Sequence, residues 1–483
     1  GRGVSLAPGA SPRAEPGRAR WVMRGLLLFA LAFTNLNDIW SPDVLPNALV
    51  SYTVLREGDL DFDEFTGLLD RDSYFFRACG TSTATAPPRM VRSPGGPPHP
   101  GPDDAVCSIF PPGIGLLALP FFAPFVPFVP PSDLGFLVRM GHVAAASIAV
   151  LAALLLWSVL RRFTTERWAL GLVLLYWLAT SVRTVSAQAL WQHAGVQLAA
   201  AAALWLVLRP EAVSLRREAL AGALLGLGGL VRQTAVLVAP GLGGLGARRH
   251  AAALAGAALG LVPLLLYNAL AFGSPLEQGY GSKPFDTPPA LGLYGLLLSP
   301  SRGLFVYAPY LLAAIAALAL AWRRPGLAAA RLRTLSLAAL ATLVLYATYT
   351  EWWGGRVFGP RFLDDLAPIL FAALAWGIGQ GLLERPWRRI AFWAAAAWSL
   401  VLFQAAAFVY DPNGWDTLPA NVNFAPQRLL DWTDPQWLAV LSAVPAHGER
   451  VAVAFALSGL VLLLLLRVEG VLASGRARLQ SRA

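Results

Sequence analysis

Two carboxylates, Asp38 and Asp43, stand just beyond the first long apolar stretch, inside N-D-I-W-S-P-D-V-L-P-N-A-L-V-S-Y-T-V-L-R-E-G-D-L-D-F-D-E, residues 37–64. A carboxylate at a water–lipid boundary is partly desolvated, which raises its proton affinity and suits it to act as a general base. Asp43 follows Pro42 and precedes a run with apolar residues at 44, 45, 48, 49, 52, 54 and 55, a spacing that predicts a helix lying in the membrane interface. As a cap on that helix Asp43 would be structurally ordinary, and Asp38 competes with it for the role of base. A turn at Gly58 leads on to Asp59, Asp61, Asp63 and Glu64.

The complementary charges come from arginine, which grips phosphate oxygens in bidentate fashion and keeps its charge at a lipid boundary. Arg361 is the first candidate, because it opens an apolar segment within E-W-W-G-G-R-V-F-G-P-R-F-L-D-D, residues 351–365. Arg302, in S-P-S-R-G-L-F-V-Y-A-P (299–309), is either an interface anchor or an anion-binding group, and Arg232 is a third candidate. In the 351–365 block Glu351, Trp352 and Trp353 precede a glycine-rich turn. The tryptophans suit either an aromatic belt or the face of a sugar ring. Gln192 and His193, in A-L-W-Q-H, and Tyr280, in G-S-P-L-E-Q-G-Y, complete the set of candidate substrate-binding residues. A lone histidine is more often a hydrogen-bonded boundary residue than a metal ligand. No cofactor is called for, although a divalent metal would be able to assist a leaving phosphate.

The elements that must position these groups are membrane helices. The chain has 483 residues, of which 56% are hydrophobic and only 14% charged, far from the usual soluble balance. Its apolar runs predict an all-α polytopic bundle of about twelve helices, near 22–37, 137–160, 167–186, 190–208, 217–231, 233–247, 251–271, 304–322, 332–350, 363–383, 389–410 and 450–466. The net charge of +10 is carried almost wholly by arginine, Lys283 being the only lysine. These arginines sit at the ends of apolar runs, as in 161–167, 209–217, 248–249, 323–333, 385–389 and the tail, and not on a contiguous basic face, which excludes a nucleic-acid surface. By the positive-inside rule that side is cytoplasmic. The loops 38–136, 273–303, 351–362 and 411–449, which hold most of the candidates, then face outward.

Residues 1–20 read as a disordered cytoplasmic tail and 471–483 as a second tail, flanking a transmembrane domain over 21–470. Residues 21–36 share features with a signal peptide, but a signal-anchor helix with Arg24 snorkelling explains the same residues. The Pro-rich run 111–131 is expected to be re-entrant or juxtamembrane, since its prolines leave too many carbonyls unpaired for a lipid-exposed span. Its Pro-Pro-Gly bend is either a stiff loop or a site wall where backbone approaches substrate. Cys79 and Cys107 share the first loop, as a disulfide closing it or as two unrelated buried thiols.

Taken together, P-D-V-L-P-N-A-L-V-S-Y-T-V-L-R-E-G-D-L-D-F-D-E-F, S-I-F-P-P-G-I-G-L-L-A-L-P, L-W-Q-H, G-S-P-L-E-Q-G-Y, S-P-S-R-G-L-F-V-Y and W-W-G-G-R-V-F-G-P-R-F-L resemble successive blocks of the GT-C superfamily of integral-membrane glycosyltransferases. The likeness is to the protein O-mannosyltransferase and aminoarabinose transferase branch, over most of residues 22–384. The resemblance implies a polyprenyl-phosphate-linked sugar as donor, with Asp43 at the position of the catalytic first-loop carboxylate and Arg361 at the lipid-linked phosphate. It also implies a glycan, lipid or protein acceptor at the outer face of a bacterial cytoplasmic membrane. Asp38 and Asp43 are separated here, whereas many members carry two adjacent acids. The alternative readings are a transporter or flippase of a lipid-linked or anionic substrate, and a structural subunit of an envelope-building complex. A transporter would place its ionisable groups along a route through the bundle.

Overall fold

The structure, a computed structural model, describes residues 17–65, 67–69, 75–80, 104–281 and 283–471. Its helices are α1 (Arg18–Phe33), α2 (Leu45–Arg56), α3 (Gly113–Phe122), α4 (Leu134–Leu160), α5 (Glu166–Leu178), α6 (His193–Val207), α7 (Leu215–Val231), α8 (Ala247–Phe272) and α9 (Pro289–Leu298). They continue with α10 (Leu304–Tyr307), α11 (Leu312–Ala321), α12 (Leu327–Thr348), α13 (Ala367–Gly379), α14 (Pro386–Val409), α15 (Gln436–Ala443) and α16 (Gly448–Val468). Among the described residues six helical stretches are long and apolar enough to cross a membrane: Leu134–Leu160, Ala247–Phe272, Leu327–Thr348, Arg361–Gly379, Pro386–Val409 and Gln436–Val468. The remaining expected spans are shorter. Of the two expected tails, 1–16 and 472–483 lie outside the described residues, while Arg18, Ala19 and Arg20 are already helical.

Local chemistry explains where several helices start and stop. Side chains of Asp133, Thr165 and Ser214 accept the orphan backbone N–H groups at the starts of α4, α5 and α7. Gly273, at φ 78°, ends α8 in the left-handed conformation. The expected helix over 233–247 is instead a 3-10 helix from Gln233 to Gly241. Pro240 and the glycines at 241, 243, 244 and 246 prevent an α-helix from continuing. The expected helix over 167–186 breaks after Leu178. There the Thr180 hydroxyl donates to the Tyr176 carbonyl (2.6 Å) and accepts from Val182 N (3.2 Å), competing with the helical ladder before a π-turn at Val182–Ser186.

The bundle is tied at its arginine-rich end by buried ion pairs. Arg24 was expected to snorkel, yet it is wholly buried: it donates to Glu469 (2.6 and 2.7 Å) and Glu166 (2.9 Å), with its guanidinium 4.0 Å from the Trp157 ring centroid. Two carboxylates and an aromatic face compensate its charge within the protein, so it has no need to reach the headgroups. Arg331 pairs likewise with Glu218, joining the N-terminal ends of α12 and α7.

Close packing, and not hydrophobicity, brings α7 against α8, since lipid is as apolar as leucine. Gly222 and Gly226 on α7 face Gly256 and Gly260 on α8 across two four-residue small-residue repeats. A Cβ at Gly222 would stand 1.9 Å from the Ala253 carbonyl oxygen, and one at Gly256 1.8 Å from that of Ala219. This contact fixes the C-terminal end of α7, where Arg232 emerges.

Within the first loop, strand β1 (Phe76–Ala78) pairs antiparallel with β2 (Val106–Ser108), Arg77 opposite Cys107. The Cys79 and Cys107 sulfurs are bonded, and Asp61 bridges to Cys107. Phe62, Phe65 and Phe76 form a small aromatic core under α2. Arg77 is buried over the Phe272 ring and donates to the Gln278 carbonyl (2.9 Å), tying the first loop to the segment that carries Tyr280.

Candidate active site

Asp43 sits on a 3-10 turn, Pro42–Val44, at the mouth of α2. That helix is not apolar on one side and exposed on the other, as the spacing predicts: Pro46 to Thr53 are buried on every face. Its polar positions are satisfied inside the protein, Asn47 Nδ2 donating to the Leu190 carbonyl (2.8 Å) and the Ser51 hydroxyl to that of Gly115 (2.8 Å). The Pro-Pro-Gly bend wedges α3 between α2 and α7. A Cβ on Gly113 would stand 2.4 Å from the Leu230 carbonyl oxygen, and one on Gly115 2.6 Å from that of Asn47. The bend's glycines therefore let backbone approach backbone, and they couple the elements that carry Asp43 and Arg232.

Asp43 Oδ2 lies 3.5 Å from Arg361 Nη1, the two side chains being 13% and 12% exposed. Asp43 Oδ1 and Arg361 Nε are both buried and have no hydrogen-bond partner among the described residues. Arg361 opens the 3-10 turn Arg361–Leu366 that leads into α13, the helix stretch most enclosed by the bundle. Asp38, by contrast, is exposed; the titratable group on which its charge acts is His142.

A second acid, Asp365, organises the other side of the site. Its Oδ1 is 2.8 Å from His193 Nδ1, its Oδ2 accepts from the Tyr346 hydroxyl (3.1 Å), and Arg232 Nε lies 3.7 Å away. His193 Nε2 in turn faces Arg232 Nη1 at 3.3 Å. Phe362 stacks on Tyr346 with ring centroids 4.7 Å apart, and both guanidinium carbons lie near that Phe362 ring, Arg232 at 4.7 Å and Arg361 at 5.9 Å from its centroid. The residues meet because the C-terminal ends of α7 and α12 converge with the N-terminal ends of α6 and α13. These are the ends remote from Arg209, Arg216, Arg331 and Arg385.

Tyr280 donates to Gln192 Oε1 (3.3 Å) and lies within electrostatic range of Asp43, Arg232 and Arg361. Burial pushes its phenol up to about 12, against the pull of the two guanidinium groups, so it acts at neutral pH as a hydrogen-bond donor and not as a phenolate. Glu351 is held by Lys283, whose ammonium donates to both carboxylate oxygens (2.7 and 2.8 Å).

Other expected site residues are committed elsewhere. Arg302 is fully buried and spends all five N–H donors within the protein. They go to Ser301 O (2.6 Å), Gln436 Oε1 (2.8 Å), Asp416 Oδ1 (2.8 Å), Gly355 O (3.0 Å) and Trp353 O (3.2 Å), leaving none for a phosphate. Trp352 packs against Gly295, and Trp353 donates to Asn423 Oδ1 (3.2 Å); both rings are buried. Among the described residues one group of three acids is close enough to hold a cation, Asp61, Asp63 and Glu64, in the first loop. Asp43 instead faces Arg361, whose positive charge opposes a cation beside it.

Asp365 was missed at the level of sequence. The only signal was its place four residues after Arg361 in R-F-L-D-D, and nothing there separates it from Asp364. Asp364 is equally buried but lines a different, apolar pocket with Thr180, Leu304 and Phe403.

No family model matches the chain, and no curated protein matches it. Among solved structures, the crystal structure of ArnT from Cupriavidus metallidurans bound to undecaprenyl phosphate is similar at 14% identity with a TM-score of 0.41, over 95% of this chain and 78% of that one.

Proposed function

We propose that this chain is a membrane-embedded glycosyltransferase that moves a sugar from a polyprenyl-phosphate donor to an acceptor of the bacterial cell envelope, at the outer face of the cytoplasmic membrane. One observation carries the reading: Asp43 and Arg361, more than 300 positions apart, face each other at 3.5 Å with a carboxylate oxygen and a guanidinium N–H left without partners among the described residues. A base and a phosphate-binding cation poised side by side are what displacement of a lipid phosphate requires.

In the reaction, Asp43 takes the proton of the acceptor's hydroxyl or amine as that atom's electron pair attacks the anomeric carbon. The bond from that carbon to the phosphate oxygen breaks, and its electron pair leaves with the polyprenyl phosphate, whose charge Arg361 stabilises. Direct displacement inverts the anomeric configuration. Tyr280 and Gln192, hydrogen-bonded to each other at 3.3 Å, would hydrogen-bond the sugar. The transporter reading calls for groups spread along a route, whereas Asp43, Arg361, Arg232, His193, Asp365 and Tyr280 gather at one end of the bundle.

The test is to incubate purified protein with labelled polyprenyl-phosphate sugars and membrane extract and to identify what becomes labelled. Label should pass to an envelope component with wild type and not with Asp43→Asn. Translocation of intact lipid without sugar transfer, or full transfer by Asp43→Asn, would overturn the reading.

A further inference from the structure

Arg232 is a cation whose surroundings are more elaborate than an internal ion pair needs. Its Nε lies 3.7 Å from Asp365, beyond hydrogen-bond length, and its Nη1 meets a histidine nitrogen at 3.3 Å. A histidine is a poor counter-ion for an arginine unless it is neutral and turns a lone pair toward it. Asp365 supplies that condition. With Oδ1 2.8 Å from His193 Nδ1, the carboxylate holds the imidazole proton on Nδ1 and leaves Nε2 as an acceptor aimed at Arg232. Tyr346, donating to Asp365 Oδ2 and bonded to Thr234 at 2.7 Å, steadies the carboxylate from its other side.

The guanidinium thus held keeps a free edge, since Arg232 Nη2 donates to nothing among the described residues, and the side chain remains 13% exposed. Arg361 approaches the same Phe362 ring and likewise has an N–H unpartnered among the described residues. Two guanidinium groups around one ring repel each other, and each carboxylate at hand stands too far off to form a hydrogen bond. An anion with several oxygens bridging the two cations relieves both defects, and a phosphate has that geometry.

We propose that His193 and Asp365 are a positioning pair that presents Arg232 to the donor's phosphate as a second guanidinium, opposite Arg361. The proposal rests on the glycosyl-transfer reading for the identity of the anion. His193 and Asp365 touch no substrate; they set the direction of Arg232.

The experiment measures binding of undecaprenyl phosphate to purified full-length protein in nanodiscs, alongside kcat and KM for sugar transfer and Tm. Arg232→Gln and His193→Asn should each weaken binding about ten-fold. The double variant should bind no worse than either single one, because both changes remove the same guanidinium contact. His193→Gln, whose amide oxygen can take the place of Nε2, should restore binding and KM. All should keep a Tm near that of wild type. His193→Asn binding as tightly as wild type while Arg361→Gln weakens binding would overturn the proposal. So would equal damage from His193→Asn and His193→Gln with a parallel fall in Tm, the mark of a merely structural role, or failure of wild type to bind the lipid. Should His193→Asn not fold, Asp365→Asn replaces it: the amide frees the tautomer, binding should weaken similarly, and unchanged affinity would overturn the proposal. Failure of the transfer reading shows separately, as lipid binding with this variant pattern but no sugar transfer.

Discussion

The Arg361 guanidinium stands 3.5 Å from the Asp43 carboxylate, a separation bridged by charge and by no hydrogen bond. In a resting ion pair the two groups would close to about 2.8 Å. Held slightly apart, each keeps hydrogen-bonding capacity for a third party. Asp43→Asn removes the base while conserving shape, and it should lower the transfer rate by about 100-fold to 10,000-fold with lipid binding retained. Single-turnover transfer of labelled sugar, set beside lipid affinity, checks this; a loss confined to affinity would contradict it.

Arg361→Gln should act on the other term. Loss of a charged hydrogen bond to phosphate costs about 1.5–3 kcal/mol, which is roughly a ten-fold to hundred-fold weaker donor. KM for the lipid-linked sugar should rise accordingly, and the difference from wild type should persist at high salt, because the largely buried Arg361 contact is screened little. Equilibrium binding of undecaprenyl phosphate at two ionic strengths is the measurement.

Arg302 should behave as a fold residue. Arg302→Met leaves Asp416 buried with its charge unpaired, though Tyr410 and Gln436 still donate to it (2.7 and 2.9 Å). Breaking one side of a buried pair costs about 3–5 kcal/mol. Thermal unfolding should show a large loss of stability, and Arg302→Met with Asp416→Asn should recover part of it. Any variant that survives purification should bind lipid phosphate as wild type does.

The acids of the first loop give a pH dependence. Burial, reinforced by the charges of Asp59, Asp63 and Asp61, pushes the Glu64 carboxyl up to about 7 from an ordinary value of 4.5. Both of its oxygens are buried without hydrogen-bond partners among the described residues. The folded loop therefore binds more protons than the unfolded chain between those two values, and its stability falls as pH rises through that window. Hydrogen exchange across residues 59–65 should be slower at pH 5 than at pH 8 after correction for intrinsic rates. Glu64→Gln should flatten the difference, and an unchanged difference in that variant would rule out Glu64 as its source.

Much of this was readable along the chain. Composition and run length dictate a helical membrane protein, because an apolar run of span length has few other stable fates. Positions of individual helices follow from capping residues and from glycines and prolines, whose effects act over a few residues. Asp43 and Arg361 were legible as candidates because each sits at a sharp change from apolar to polar sequence.

Other properties are decided by contacts between distant segments. Asp365 and Asp364 are identical neighbours in sequence, and only the rotation of the turn before α13 sends one to His193 and Arg232 and the other into an apolar pocket. Arg302 and Arg361 look alike along the chain, yet Asp416 and Gln436, more than 100 positions away, take up donors of the first, whereas Arg361 Nε has no partner among the described residues. The burial of α2 depends in the same way on carbonyls of Leu190 and Gly115. A local pattern records which groups a segment carries; whether a charge is spent or available depends on partners that only the folded chain brings within hydrogen-bond reach.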